Sequence, residues 1–334
     1  MDILNKQVLL ASWARGLPQA SDFRFAEQVL SPCKQGHVII KNHYLSVDPA
    51  QKGWMSKAQN YSNAALGEPM KALAVGEVIE SSLPEYKAGD FVSGWFGWQQ
   101  YAHVDADAID RKINPATGPI QNAIGLLGIV GLTAYIALKD VINPRPGQTI
   151  LVSTAAGGVG SIVGQLAKRW GCRVIGITGS DEKLGRCLNE FGYNAAFNYK
   201  KEGWQEALKA ACPEGIDGYF DMAGGWISDG VVELLNARSV HVQVGTAAVA
   251  SWDPTPQAPR RERLLLVKEI THQGFVIFNH ASRFDEASRY LAQCLANKEL
   301  VFREQVLDGL ESAPQALESL YQGKNNGKIL IRLT

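Results

Sequence analysis

Residues 149–153 form a short apolar stretch that runs straight into Ala155-Ala156-Gly157-Gly158-Val159-Gly160 and then into an amphipathic stretch from Ser161 to Trp170. No other feature of the chain restricts its fold as much. Small residues at this spacing let a strand turn sharply into a helix, and they let backbone N–H groups at the helix N-terminus approach a pyrophosphate. A glycine pattern alone is weak. Here a second strand candidate follows, Arg173-Val174-Ile175-Gly176-Ile177-Thr178, which is the context a dinucleotide fingerprint requires. Further strand candidates lie at 195–199, 218–222, 240–244 and 274–278, with helix starts near Gly158, Asp181, Trp204, Ile227 and Arg261. Such alternation predicts right-handed βαβ crossovers and an α/β unit built on a parallel sheet.

The end of the second strand candidate selects between the two nicotinamide dinucleotides. An NAD site wants a carboxylate about twenty residues beyond the glycines to hold the ribose 2′-OH. Counting from Gly160, that position falls on Gly179, followed by Ser180, and no carboxylate stands there. Space is left for a 2′-phosphate, with Lys183 one helical turn on to supply countercharge and Tyr199 to donate its hydroxyl. Asp181 and Glu182, at a helix start, suit the helix dipole instead. The expected cofactor is NADP(H).

The first third of the chain has a different texture. Residues 38–47 are long and β-branched with partial alternation, and 74–80 and 90–94 follow between prolines and glycines, which predicts a compact, barrel-like β unit. A helix is expected from Pro119 to about Lys139, and Asn143-Pro144-Arg145-Pro146-Gly147-Gln148 marks a change of unit. Ser282 is the expected N-cap of a later helix, and residues 328–333 close the chain as a strand.

Lys+Arg and Asp+Glu are both 33, so the formal net charge is zero and a general nucleic-acid binder is not expected. Five scattered cysteines without a C-x-x-C pair point to a reducing compartment. The N-terminal residues lack the apolar core of a signal peptide, and the richest apolar stretch, 120–138, holds three glycines, so no membrane association is expected. A cytoplasmic protein is the resulting expectation.

Beyond the glycine loop, the segments Tyr44-Leu45-Ser46-Val47-Asp48-Pro49, Gly53-Trp54-Met55-Ser56, Gly131-Leu132-Thr133-Ala134-Tyr135, Gly179-Ser180-Asp181-Glu182-Lys183, Phe197-Asn198-Tyr199-Lys200, Gly274-Phe275-Val276-Ile277 and Gly323-Lys324-Asn325-Asn326-Gly327-Lys328 carry a resemblance. Together, in this order and over almost the whole chain, they resemble the zinc-free medium-chain dehydrogenases/reductases, in the branch of prostaglandin and curcumin reductases. The resemblance implies a GroES-like catalytic domain (1–124, completed by 297–334) and a Rossmann cofactor domain (125–296), with the active site between them. It further implies a homodimer that uses NADPH to reduce the C=C bond of enones and enals. Carried over residue by residue, the implied cofactor contacts are Gly157, Gly158, Val159 and Gly160 at the pyrophosphate. Ser180, Lys183 and Tyr199 follow at the 2′-phosphate end. Phe275, Val276 and Ile277 would lie along the nicotinamide near Thr133 and Gly245, and Asn325 would reach in from the tail.

Four departures from the branch stand out. Ala50 replaces a common tyrosine, Val249-Ala250 stands where relatives carry another, Met222 replaces an asparagine, and Val130 a proline. Gly36-His37-Val38 lacks the Glu of the related zinc enzymes, and the six histidines show no close ligand spacing, so no metal is expected. Nor is there a G-x-S-x-G for a hydrolase. With both usual tyrosines missing, Tyr61 is the leading side chain to donate a hydrogen bond to a substrate oxygen, because it follows the Gly53-Trp54-Met55-Ser56 segment. Tyr44 and Tyr135 are weaker alternatives. Two rival readings remain open: a quinone reductase, and a non-catalytic NADPH-binding sensor or structural protein.

Overall fold

The structure, a computed structural model, describes residues 3–57 and 60–333. The chain divides into two compact units, Met1–Gly128 together with Glu304–Thr334, and Ile129–Arg303. The first unit opens with β1 (Leu4–Leu10), β2 (Phe23–Val29) and β3 (His37–Val47), then the short helix α1 (Ala50–Trp54). Strands β4 (Ala74–Ser81), β5 (Phe91–Gly94), β6 (Tyr101–Asp105) and β7 (Ile109–Ile113) follow.

The second unit begins with α2 (Ile129–Ile136) and then alternates: β8 (Thr149–Val152), α3 (Gly158–Arg169), β9 (Arg173–Thr178), α4 (Asp181–Asn189), β10 (Ala195–Asn198), α5 (Trp204–Ala211), β11 (Ile216–Asp221), α6 (Gly225–Val232), β12 (Leu235–Gln243), α7 (Glu262–Lys268), β13 (Thr271–Gly274) and α8 (Phe284–Ala296). The chain then returns to the first unit as β14 (Glu304–Asp308), α9 (Ala313–Tyr321) and β15 (Lys328–Arg332).

In the first unit β3 pairs antiparallel with β4, β6 and β15, so it is the organising strand of a seven-stranded sheet. Val38 and Ile40 and, after a register shift between Asn42 and Tyr44, Leu45 and Val47 are buried with Trp54, Met55, Met70, Phe96 and Trp98. The returning strand β15 brings Lys328 into this core. Its ammonium donates to Ser46 Oγ at 2.7 Å, to the Val47 carbonyl at 2.8 Å and to the Asp48 carboxylate. A buried pair of charges persists only when both ions are paired and hydrogen-bonded, and here the geometry meets that condition. The pair pins the start of α1. The Gln51 side chain extends the lock, accepting from Asp48 N at 2.9 Å and donating to the Lys71 carbonyl at 3.0 Å.

The second unit holds a parallel six-stranded sheet in the order β10-β9-β8-β11-β12-β13. The chain winds outward from β8 in one direction and then restarts beside it with β11. The crevice at this reversal, beyond the C-terminal ends of β8 and β11, is where doubly wound sheets bind ligands.

Three local expectations are corrected. The continuous helix from Pro119 breaks into a 3-10 turn, Ile120–Ile124, the helix α2, and a π-helical turn, Ala137–Ile142. A Cβ at Gly128 would lie 2.4 Å from the Ala123 carbonyl oxygen, so the chain doubles back there too tightly for a continuous helix. The last strand of the sheet is 271–274 and not 274–278. As an exposed edge strand, Thr-His-Gln-Gly carries no apolar signature, while the apolar run after it turns into the 3-10 segment Ile277–Arg283. The N-cap of α8 is Arg283 rather than Ser282. Glu286 pairs with Lys139 and Arg283, and hydrogen bonds from Lys139 and then Tyr135 hold its carboxyl down to about 2.

Candidate functional site

Five loops follow the C-terminal ends of the parallel strands, and together they assemble most of the expected cofactor residues. After β8 the chain turns through Thr154, at φ 48°, into α3, with Gly157 as the extended N-cap. A Cβ at Gly160 would sit 2.5 Å from the Thr154 carbonyl oxygen, so only glycine lets the helix pack this close to the turn. Tyr193 braces the arrangement from below, its hydroxyl donating to the Gly160 carbonyl at 2.7 Å. The N–H groups of the first helical turn have no intrahelical partners and carry the positive end of the helix dipole, a fitting seat for a pyrophosphate.

At the end of β9 the critical position is Gly179. A Cβ there would lie 2.8 Å from the Tyr199 hydroxyl and 3.1 Å from its ring, so the tyrosine occupies the volume a side chain would need. A carboxylate is absent from this point and sterically excluded. Burial holds the Tyr199 phenol above its ordinary pKa, which keeps it a protonated donor. Lys183 lies half-buried nearby. Burial lowers its pKa, the fields of Arg186 and Lys200 lower it further, and Glu182 opposes them, so three cations and one carboxylate share this corner. Asp181 is engaged with Asn198 at 3.1 Å and Lys201 at 2.9 Å, and Glu182 with Arg186, which leaves Lys183 and Lys200 as the cations whose charge is not matched by these two carboxylates. A site that gathers cations and keeps carboxylates tied up favours a dianionic group such as a 2′-phosphate. Ser180 Oγ accepts from Lys183 N at 3.2 Å and caps α4.

The loop after β11 is organised by a residue the sequence reading missed. Asp221 is fully buried and its carboxylate accepts from Ser153 Oγ at 3.1 Å, Ala223 N at 2.9 Å, Gly224 N at 2.9 Å, Ser228 Oγ, and His241 Nε2 at 3.1 Å. One carboxylate therefore ties the ends of β8, β11 and β12 to the start of α6. Burial acts to raise its pKa. The hydrogen bond from His241 foremost, with Gly224 N–H and Ser228, outweighs that and holds it down at about 2. Gly224 and Gly225, at φ 63° and 55°, turn the chain into α6 and present Trp226. This indole stands edge-on to Tyr199, with centroids 5.6 Å apart at 78°, and is 52% exposed. An Asp at a strand end between apolar residues gave no distinctive sequence signal; the Gly-Gly-Trp run could have flagged Trp226.

Gly245 follows β12. Its N–H bonds to the Asp221 carbonyl at 3.2 Å, and a Cβ on it would lie 3.0 Å from the Met222 carbonyl oxygen. Phe275 N–H bonds to the Gln243 carbonyl at 2.9 Å. The Phe275 and Ile277 side chains are buried and Val276 between them is half-buried. Thr133 is buried within α2. Tyr135 hydrogen-bonds Glu286 at 3.0 Å and Lys139 at 2.7 Å, so it is held within this unit's ion-pair network.

Asn325 and Tyr61 belong to the first unit. Asn325 Nδ2 donates to the Gly327 carbonyl at 3.0 Å. Tyr61 is 54% exposed, with its ring edge-on to Trp54. Burial, then the charge of Asp48, raises its phenol pKa, while the Trp54 N–H lowers it. Among the described residues no group of three or more His, Cys, Asp or Glu stands together to hold a metal, and no helix is long and apolar enough to cross a membrane.

A glycine turn at a switch point, a glycine without a carboxylate beside Lys183 and Tyr199 at the second strand, and a separate β-rich unit fit a two-domain oxidoreductase of the dinucleotide-dependent kind. Comparison agrees. Residues 6–111 match a family described as the N-terminal domain of oxidoreductase, and 158–293 one described as zinc-binding dehydrogenase. The chain is 36% identical to an NADPH-dependent curcumin reductase of Escherichia coli over 98% of this chain and 97% of that one. It is 34% identical to a 2-alkenal reductase (NADP⁺-dependent) of Nicotiana tabacum, over 100% and 98%. The crystal structure of CurA from Vibrio vulnificus in complex with NADPH superposes with a TM-score of 0.92 at 35% identity, covering 98% of this chain and 99% of that one. The chain belongs to the medium-chain dehydrogenase/reductase family, in its zinc-independent, NADP-dependent branch.

Proposed function

We propose that this protein is an NADPH-dependent reductase that delivers a hydride to the C=C bond of α,β-unsaturated ketones and aldehydes. The observation that carries the cofactor half is Tyr199 filling the space beside Gly179, with Lys183, Arg186 and Lys200 around it. The curcumin and alkenal reductases at 34–36% identity support the substrate half. In this reading Gly157, Gly158, Val159 and Gly160 seat the pyrophosphate, and Lys183 with Tyr199 holds the 2′-phosphate. Ser180, which caps α4, stands with them at the 2′-phosphate end, and Thr133, Gly245, Phe275, Val276, Ile277 and Asn325 border the rest of the cofactor.

When bound, the cofactor supplies a hydride to the electrophilic β-carbon. The C=C electron pair then moves toward the carbonyl, charge builds on its oxygen as an enolate, and the α-carbon takes a proton from solvent. Side chains contribute alignment, exclusion of water and a hydrogen bond to that oxygen. Tyr61 is the donor we assign: burial keeps its phenol protonated, and over half the residue is accessible. The protein functions as a homodimer in the cytoplasm. Supporting this are the exposed edge strand β13, the solvent-facing Leu266 and Val267 of α7 beside it, and five free cysteines.

The test is NADPH oxidation across a panel of enones, enals and quinones, with calorimetric binding of NADPH and NADH. Turnover with enones and enals, and preference for NADPH, is expected. Faster turnover with quinones would favour quinone reduction, and tight NADPH binding without any oxidation would favour a sensor. Light scattering gives the oligomeric state, and a monomer would remove the dimer from the reading.

A further inference from the structure

Trp54 ends α1 with its indole 1% exposed, and its Nε1 makes no well-formed hydrogen bond. A buried donor without an acceptor forfeits its hydration, so such groups are few and each asks for a reason. The surroundings here are rigid. The Lys328–Asp48 pair and Gln51 fix the start of α1, and Tyr321 donates from its hydroxyl to the Pro49 carbonyl. Trp95 packs edge-on against the indole at 5.5 Å and 65°. On another side stands Tyr61, its ring perpendicular to the indole at 89° with centroids 6.4 Å apart. The core of the unit thus sets a buried indole with an unsatisfied N–H perpendicular to one half-exposed phenol. That N–H already bears on the phenol's acidity, lowering a pKa that burial raises.

We propose that Trp54 is a positioning residue for Tyr61: its Nε1–H donates to Tyr61 Oη, so that the phenol O–H is turned toward the substrate's carbonyl oxygen. This rests on the enone-reductase reading above. A donor behind Oη makes the phenol a better donor in front, because hydrogen bonds in series polarise one another in a low dielectric. As charge accumulates on the enolate oxygen the chain N–H···O–H···O tightens, which lowers the barrier and leaves ground-state binding almost unchanged. No bond is made or broken at Trp54.

The experiment uses the full-length protein with NADPH. Trp54→Phe keeps an aromatic ring and deletes the N–H. It should lower kcat for an enone about 3- to 10-fold with little change in KM for NADPH, and it should have no further effect in a Tyr61→Phe background. A readout independent of turnover is the pH titration of Tyr61 in protein labelled with 3-fluorotyrosine, its 19F resonance assigned through Tyr61→Phe. Loss of the N–H should raise the midpoint by about half a unit or more. An unchanged midpoint in folded Trp54→Phe, or kinetic losses that simply add to those of Tyr61→Phe, would overturn the proposal. If Trp54→Phe fails to fold, the indole 15N–1H resonance of Trp54 in wild type and Tyr61→Phe replaces it. A resonance that does not move when Oη is removed would overturn the proposal equally. If the midpoint shifts while enones are not reduced, the Trp54–Tyr61 coupling stands and the enone reading fails.

Discussion

Replacing Asp221 with Asn preserves shape and removes the charge that five donors converge on, so it isolates what that carboxylate does for the second unit. Its pKa is held at about 2 against an ordinary 3.8. A shift of that size corresponds to roughly 2 kcal/mol of stability at neutral pH. The folded-state pKa is depressed, so this contribution is complete above the unfolded value and is lost as pH falls through the folded one. The amide also turns an NH₂ toward groups that are themselves donors. The expected total loss in Asp221→Asn is therefore about 3–4 kcal/mol at pH 7. For a unit of this size that lowers Tm by roughly 6–16 °C. Guanidinium unfolding of wild type and variant at several pH values is the assay. Between pH 5 and pH 3 the gap should narrow by about 1 kcal/mol, because wild type is giving up the interaction that the variant already lacks. A loss below about 1 kcal/mol at pH 7, or a gap that ignores pH, would refute the reasoning.

Other substitutions probe the cofactor pocket and its support. Gly179→Asp has to displace the Tyr199 hydroxyl, 2.8 Å from the new Cβ, and it sets a carboxylate among the cations. KM for NADPH should rise about 10- to 100-fold without a matching gain for NADH, measured by steady-state kinetics with both cofactors. Lys183→Ala should raise KM for NADPH by at least about 10-fold and leave that for NADH nearly unchanged, since only one cofactor carries the 2′-phosphate. Gly164→Ala would put a methyl 2.1 Å from the ring of fully buried Tyr193, which braces the glycine turn. It should cost about 1–3 kcal/mol in denaturant unfolding and weaken NADPH binding by calorimetry.

Much of this protein was legible in the order of its residues because the signals are local. A strand, small residues and a helix in succession force the turn at 155–160 whatever surrounds it. Alternating strands and helices of fitting length leave a parallel sheet as the solution, and β8 through β11 lie where the apolar runs put them, while β12 begins five residues before its expected start. The missing carboxylate at Gly179 is likewise a statement about one position. Edge strands and broken helices were read less well. β13 faces solvent and so bears no apolar pattern, and the helix expected after Pro119 is interrupted where the chain folds back on Ala123.

What only the folded chain decided are contacts between residues far apart in sequence. Tyr199 reaches Gly179 because β10 pairs beside β9, and Asp221 meets His241 because β11 and β12 run side by side, with Tyr219 opposite His241. Lys328 joins Asp48 across 280 positions. Polar partners of this kind leave no periodic mark, since each residue looks like any other surface Asp, His or Lys until packing removes water. Burial then turns an unpaired charge or N–H into a cost of several kcal/mol, and a specific neighbour becomes obligatory. That is why the cofactor turn is visible in the sequence, while the carboxylate that organises its loops and the indole beside Tyr61 are visible only in three dimensions.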